Sequence, residues 1–333
     1  MRALHVAALG LLFAAFSWGG ISDADSRSDF QRPLEIPFPS DAPYSPLIAT
    51  LGKMLYFDPR ISGAQNMSCA SCHNPSFGWE VPVERAVGAQ NTELKRHAPT
   101  ILNLAWVEPF FWDGRARTLE EQALGPITAD VEMNAPVEDI VDRLSEIDVY
   151  RYGFQRAFPD DGLSQETILT AIATYERTVV SGWSPFDRWV EGEEDAISDS
   201  AKHGFELFVG RARCASCHTG WNMTDNQFHD IGLATEDLGR AEQEPDNEMA
   251  RHAFKTPGLR NIAHRSPYGH NGSVYDLEEL IRHYMTGGIQ RPSLSPNMQP
   301  LDLNESEVTD LIAFLNTLTA DEAAVPTPIL PTN

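Results

Sequence analysis

The chain has 333 residues, of which 42% are hydrophobic, an ordinary share for a globular protein. Its formal net charge of −23 at pH 7 argues against nucleic acid and anionic membrane surfaces as partners, and favours a partner with a basic face.

Met1-Arg2 and the apolar run from Leu4 to Phe16 read as a charged start and a hydrophobic stretch too short to span a bilayer. Small residues at Ser22-Asp23-Ala24 place a signal cleavage near Ala24, so residues 1–24 are expected to be a signal peptide and the mature chain to be periplasmic. No later stretch is long and apolar enough to cross a membrane. The remaining ~300 residues suffice for two domains. Residues 25–45 form a proline-rich extended segment, and Pro46 is suited to a first helical turn, as is Pro136. Gly52 and Leu55-Tyr56-Phe57 then precede Cys69. Thr118-x-x-Glu121 is a capping box opening a helix. Ile168, Leu169, Ile172 and Val179 form one face of another. The acidic run from Glu191 to Asp199 reads as a linker between an N-terminal domain (46–190) and a C-terminal domain (200–321). Gly204 and Leu207-Phe208 ahead of Cys214 repeat the pattern seen before Cys69. Asp276-x-x-Glu279 and Asn304-x-x-Glu307 open two further helices, the last with an apolar face of Val308, Leu311, Ile312, Leu315 and Leu318. Residues 322–333 form a tail.

All four cysteines lie in two C-x-x-C-H motifs, Cys69-Ala70-Ser71-Cys72-His73 and Cys214-Ala215-Ser216-Cys217-His218. In each, two thiols can add to the vinyl groups of a haem, and the following histidine can bind the iron from one face. A zinc cluster is the rival. Zinc ribbons, however, separate their cysteine pairs by roughly 15–20 residues, and such a cluster needs no histidine after each pair. Disulfides would leave both histidines unexplained. The expected fold is mainly α, with two cytochrome c-like haem domains in tandem and long irregular loops, because haem replaces much of the side-chain core.

Between and beyond the motifs run Ala98-Pro99-Thr100 with Asn103, Phe111-Trp112-Asp113-Gly114-Arg115, Thr118 to Gln122, Gly125-Pro126, Val131 to Asn134, Phe254-Lys255-Thr256-Pro257, Leu259-Arg260-Asn261 and Pro267 to Gly272. In these the chain resembles the bacterial dihaem cytochrome c peroxidase and MauG family, over about Leu51 to Thr319. The resemblance implies two covalently bound c-type haems, on Cys69, Cys72 and His73 and on Cys214, Cys217 and His218. It also implies hydrogen peroxide as substrate. Glu132 matches the acid–base glutamate over the open face of the first haem, where O–O cleavage needs a carboxylate to carry a proton between the oxygens. Gln122 matches the distal glutamine, Trp112 the tryptophan between the haems, and Pro126 a proline beside the peroxide-binding haem.

Two departures set the subtype. The peroxidases block the first haem with a loop histidine until the second is reduced; that position is Ala89, in Val87-Gly88-Ala89-Gln90. The first haem is then expected to be open, with His97 the nearest alternative ligand. The peroxidases bind the far side of the second haem with methionine; the matching residue is Tyr284, as in MauG. A thioether raises the haem potential, whereas a phenolate favours ferric and higher states. Met285 is the rival, pointing about 100° away on a helix, and Met298 and Met249 are further alternatives. The family's interdomain calcium takes an asparagine side chain where this chain has His97, with carbonyls matching Arg265 and Pro267; imidazole beside a cation disfavours calcium here. MauG also has a surface tryptophan just before its second motif, where this chain reads Arg211-Ala212-Arg213.

The reading that results is a periplasmic oxidoreductase. It reacts with peroxide at an open His73-bound haem and shares oxidising equivalents through Trp112 with a second haem held by His218 and Tyr284. A partner protein then draws them down. The alternative is a cytochrome c peroxidase proper, drawing electrons from a small cytochrome c or cupredoxin. A dihaem electron carrier without catalysis is the non-enzymatic reading.

Overall fold

Two separate apolar cores organise the chain, one in each half, and each is closed by a pair of crossing helices. The computed structural model describes residues 27–321 and 324–332, so the expected signal peptide lies outside the described residues. In the first half, α1 (Pro46–Phe57) starts with Ser45 accepting the Ile48 N–H and with Pro46 at its first position. The short α2 (Cys69–Cys72) follows, then α3 (Leu119–Thr128), whose Thr118 cap accepts the Glu121 N–H at 3.1 Å. Next come α4 (Val137–Ser145), α5 (Asp148–Ala157) and α6 (Gln165–Arg177). Two sequence expectations shift. Pro136 caps α4 from outside instead of sitting in its first turn, and α6 ends at Arg177, which leaves Val179 beyond the helix in a different buried cluster.

In the second half, α7 (Pro185–Val190), α8 (Asp199–Val209), α9 (Leu277–Thr286) and α10 (Glu305–Thr317) surround an aromatic knot of Phe186, Trp189, Phe205 and Phe314. Phe30, from the N-terminal segment, packs edge-on against Phe186 and Phe205. Such pairs contribute roughly 0.5–1.5 kcal/mol each beyond area burial. The acidic run expected as a linker makes ordered turns after α7, and its last residue, Asp199, already begins α8. Strand is scarce: β1 (Phe228–His229) pairs antiparallel with β2 (Phe254–Lys255), Phe228 opposite Lys255.

The crossing in each half requires glycine. A Cβ on Gly52 of α1 would fall 1.8 Å from the Ala171 carbonyl oxygen of α6, and one on Gly204 of α8 would fall 2.0 Å from the Asp310 carbonyl oxygen of α10. The internal repeat read in the sequence is therefore a repeated helix crossing. The architecture is mainly helical, two cytochrome c-like domains in tandem.

Buried charge joins the halves. Arg96 lies 2.5 Å from Asp113 and 2.8 Å from Asp237, and Arg265 lies 2.8 Å from Glu80. Asn103 donates to Asn222 across the same seam at 2.9 Å. Breaking one buried pair by removing a partner costs about 3–5 kcal/mol, since a charge is left alone.

These contacts set two expectations. Gly52→Val forces α1 away from α6 and destabilises the first domain by about 3 kcal/mol; an unchanged midpoint in thermal unfolding followed by circular dichroism contradicts the crossing. The second concerns acid. Burial alone would raise the pKa of Asp58, Asp113 and Asp237, but hydrogen bonds from Arg60 and Tyr150 to the first, and from Arg96 to the other two, hold all three below 3.8. Their contribution to stability is complete above the unfolded value near 3.8 and fades as pH falls towards the folded values. Unfolding by denaturant at stepped pH should therefore show stability dropping in that acid window, with a shallower drop in Arg96→Met.

Candidate functional site

Each C-x-x-C-H motif opens onto its own cavity. The cavity of the first half, of about 370 Å³, is lined by Cys69, Cys72 and His73; that of the second, of about 180 Å³, by Cys214, Cys217 and His218. The four thiols are thus divided between two sites, which rules out a four-cysteine zinc cluster. None is in a disulfide. Burial pushes the Cys72 thiol up to about 11 and the Cys214 thiol up to about 12. In the first motif one helical turn carries both cysteines, and the His73 N–H donates to the Cys69 carbonyl at 2.9 Å. In the second a 3-10 turn does the same, with His218 N–H on the Cys214 carbonyl at 2.9 Å.

Backbone carbonyls fix the tautomer of both histidines. His73 Nδ1 lies 2.8 Å from the Pro99 carbonyl oxygen, and His218 Nδ1 lies 3.0 Å from that of Met223. Since a carbonyl only accepts, Nδ1 carries the proton in each ring and Nε2 keeps its lone pair. Burial lowers both pKa values, so the rings stay neutral, as a metal ligand must.

The first cavity gathers the residues singled out for peroxide chemistry: Gln122 from α3, Pro126 from the same helix, and Glu132 from the loop after it. Burial raises the Glu132 pKa, against the opposing charge of Arg115. The Ala89 N–H donates to the Glu132 carbonyl at 2.8 Å, so position 89 sits directly beside the acid. His97 does not point freely at this cavity. Its Nδ1 is 3.0 Å from the Glu84 carbonyl oxygen and its Nε2 is 3.2 Å from Glu80.

Trp112 lines both cavities and forms part of the wall between them. Its indole N–H donates to the His97 carbonyl at 2.8 Å, while its own carbonyl accepts the Lys255 N–H at 2.8 Å. The ring is thereby held from both domains. In the second cavity, Tyr284 of α9 is a lining residue; Met285 instead packs against the apolar core. Met298 also lines this cavity, and Met249 is exposed on the surface.

Several lining residues escaped the sequence reading as site residues. Arg260 is 1% exposed, ion-paired to Asp187 at 2.9 Å, and has an Nη2 with no partner; Asn226 Oδ1 is also buried and unpartnered. Burial pulls Lys255 down to about 7, its ammonium donates to the Pro109 carbonyl at 2.7 Å, and among the described residues no carboxylate pairs with it. All three line the first cavity. Lys255 and Arg260 stand inside stretches that carried the family resemblance, and that was their only signal. A buried guanidinium with a free N–H and a buried amine without a carboxylate partner fit a ligand with carboxylates, and a haem has two propionates.

The positions suggested for calcium carry the wrong donors. The Glu80 carboxylate already accepts from Arg265 and from the Thr100 N–H, and faces His97. Position 97 offers an imidazole held by the Glu84 carbonyl and Glu80 in place of an amide oxygen, beside the Arg265 guanidinium, so these residues do not fit calcium. Among the described residues one three-membered group could hold a metal, Cys217, Asp225 and His229. A thioether at Cys217 would leave only the His229–Asp225 ion pair of 2.8 Å.

Comparison with known proteins agrees with this geometry. The family model for di-haem cytochrome c peroxidase matches residues 46–195, and that for cytochrome c matches residues 201–319. The chain is 48% identical to the methylamine utilization protein MauG of Methylorubrum extorquens, over 92% of this chain and 87% of that one. It is 35% identical to the cytochrome c551 peroxidase of Nitrosomonas europaea, over 99% and 95%. A crystal structure of a MauG-like protein associated with microbial copper homeostasis superposes with a TM-score of 0.82 at 30% identity, covering 87% of this chain and 95% of that one. With paired cavities, each lined by a C-x-x-C-H motif and divided by a shared tryptophan, and relatives matching along nearly the whole length, the chain belongs to the di-haem cytochrome c peroxidase family of oxidoreductases.

Proposed function

We propose that this protein is a MauG-like periplasmic enzyme. It uses hydrogen peroxide at the first haem and passes oxidising equivalents by way of Trp112 and the second haem to a partner protein. The observation that carries the reading is the first cavity, which Glu132, Gln122 and His73 line together while the neighbouring loop offers Ala89 and no imidazole. The higher identity to the MauG relative, 48% against 35% for the cytochrome c551 peroxidase, supports MauG chemistry over a peroxidase proper. The apolar run at residues 4–16 supports export, and no helix among the described residues is long and apolar enough to cross a membrane.

Covalently bound haem would supply the iron that gives electrons to peroxide. Cys69 and Cys72 would hold the first porphyrin and Cys214 and Cys217 the second, with Arg260 and Lys255 offered to propionates. His73 and His218 would each present Nε2 to a metal, oriented by the carbonyls of Pro99 and Met223. Glu132 takes a proton from the near oxygen of peroxide and returns it to the far one; burial, which raises its pKa against the charge of Arg115, favours the return step. Gln122 orients peroxide or water by its amide. Trp112 offers an indole held rigidly between the two cavities. Tyr284 is held protonated by burial, and a ferric ion is what would displace its proton.

Stopped-flow mixing of the fully oxidised protein with peroxide tests the reading: rapid reaction without prior reduction is expected, and inertness rejects it. In the same experiment Glu132→Gln should slow the reaction by about 10²–10⁴-fold, and unchanged kinetics would remove the acid from the mechanism. Tyr284→Phe should convert the second ferric haem from one low-spin signal to another or to high spin in electron paramagnetic resonance. An identical spectrum in that variant transfers the ligand role to Met298, which shares the cavity.

A further inference from the structure

Glu176 is an acid on an apolar stripe. It follows Ile168 and Ile172 at helical spacing on α6, is 4% exposed, and lines the first cavity together with Cys69. Its Oε2 is buried with no hydrogen-bond partner. The adjacent cation does not serve it, because the Arg177 guanidinium turns to Glu120 on α3, with contacts of 2.9 and 3.2 Å. The titratable groups facing Glu176 are Tyr56 from α1, Cys69 from α2, Glu120 from α3, and Tyr175 and Arg177 from α6 itself. Burial holds both tyrosines protonated, and a thioether at Cys69 would carry no charge. Burial, reinforced by Glu120 and opposed by Arg177, raises the Glu176 carboxyl to about 8. A charge that appears in this cavity is therefore felt by this carboxyl across a medium of low dielectric.

We propose that Glu176 is a redox-linked proton site of the first haem, a neutral acid while the iron is ferrous and a carboxylate once it is ferric. The step balances: one electron leaves the haem for an external acceptor, one proton leaves the Glu176 carboxyl for bulk water, and the charge inside the cavity is unchanged. The inference rests on the reading that the first cavity holds haem, and it does not depend on peroxide reactivity. It makes Glu176 distinct from Glu132, which handles protons of the substrate.

Spectroelectrochemical titration of the two-haem protein, over about two pH units on either side of 8, tests it. In wild type and in Glu132→Gln, the ferric/ferrous midpoint of the first haem should fall steadily as pH rises, with one proton released per electron. In Glu176→Gln it should be flat across the same range. Reduced-minus-oxidised infrared difference spectra should show a protonated-carboxyl stretch lost on oxidation in wild type and Glu132→Gln, and no such band in Glu176→Gln. The same slope in Glu176→Gln, loss of the slope in Glu132→Gln, or no carboxyl band in wild type overturns the proposal. If Glu176→Gln does not retain haem, the wild-type and Glu132→Gln infrared spectra decide alone. Absence of a haem spectrum from the wild-type protein would instead reject the haem reading.

Discussion

The double anchoring of Trp112 is the constraint on which the rest of the structure depends. One hydrogen bond ties its indole to the His97 carbonyl and another ties its carbonyl to Lys255, so a single aromatic plane is fixed by groups from both halves of the chain. Each of those neighbours is fixed in turn. The His97 N–H donates to the His270 carbonyl, and Lys255 lies on a strand paired with β1. A ring on one domain alone would shift with every small rotation between domains. Held from both sides, it keeps its place between the two cavities.

The same demand explains why the seam is built from buried charge. Burying ions such as Arg96 with Asp237, or Arg265 with Glu80, adds little net stability compared with apolar packing, because desolvation offsets the attraction. What such pairs supply is register: a slipped interface would leave a buried charge unpaired, at a cost of several kcal/mol. Two domains with separate apolar cores could otherwise dock in many orientations. Arg260 extends the logic, since its partner Asp187 belongs to α7 while its unpaired Nη2 reaches the first cavity. Cavity and interface thereby share one set of buried groups.

How much of this was legible in the sequence depends on whether the signal was local. The C-x-x-C-H motifs and the Thr118 cap are written in a few consecutive residues and are built locally, although Glu121 reaches the Arg117 N–H instead of closing the box on Thr118; the glycines at 52 and 204 were equally visible, but the helices they meet lie far along the chain. Boundaries were less legible. Val179 continues the apolar periodicity of α6, but the chain turns at Thr178, so its hydrophobicity serves a neighbouring cluster. The polar lining of the cavities was legible only in part. Glu132, Gln122 and Trp112 came from resemblance, and the structure does bring them to one cavity. Lys255 and Arg260 look like ordinary surface cations until the fold buries them, because burial of a long side chain is decided by distant segments.

Glu176 shows where such reading can be extended. An acid at a fourth-residue spacing after two isoleucines breaks the pattern of a buried helical face, and a chain that only needed packing there would carry another aliphatic residue. Leaving a buried carboxyl oxygen without a hydrogen-bond partner costs free energy. Arg177, turned towards Glu120, offsets that cost only in part. The arrangement keeps a proton inside the first cavity, while the arrangement at Glu132, beside Arg115, leaves that acid better able to release one. Two carboxyls lining a single cavity are thus pushed to different degrees by their surroundings, which is the condition for two separate proton tasks.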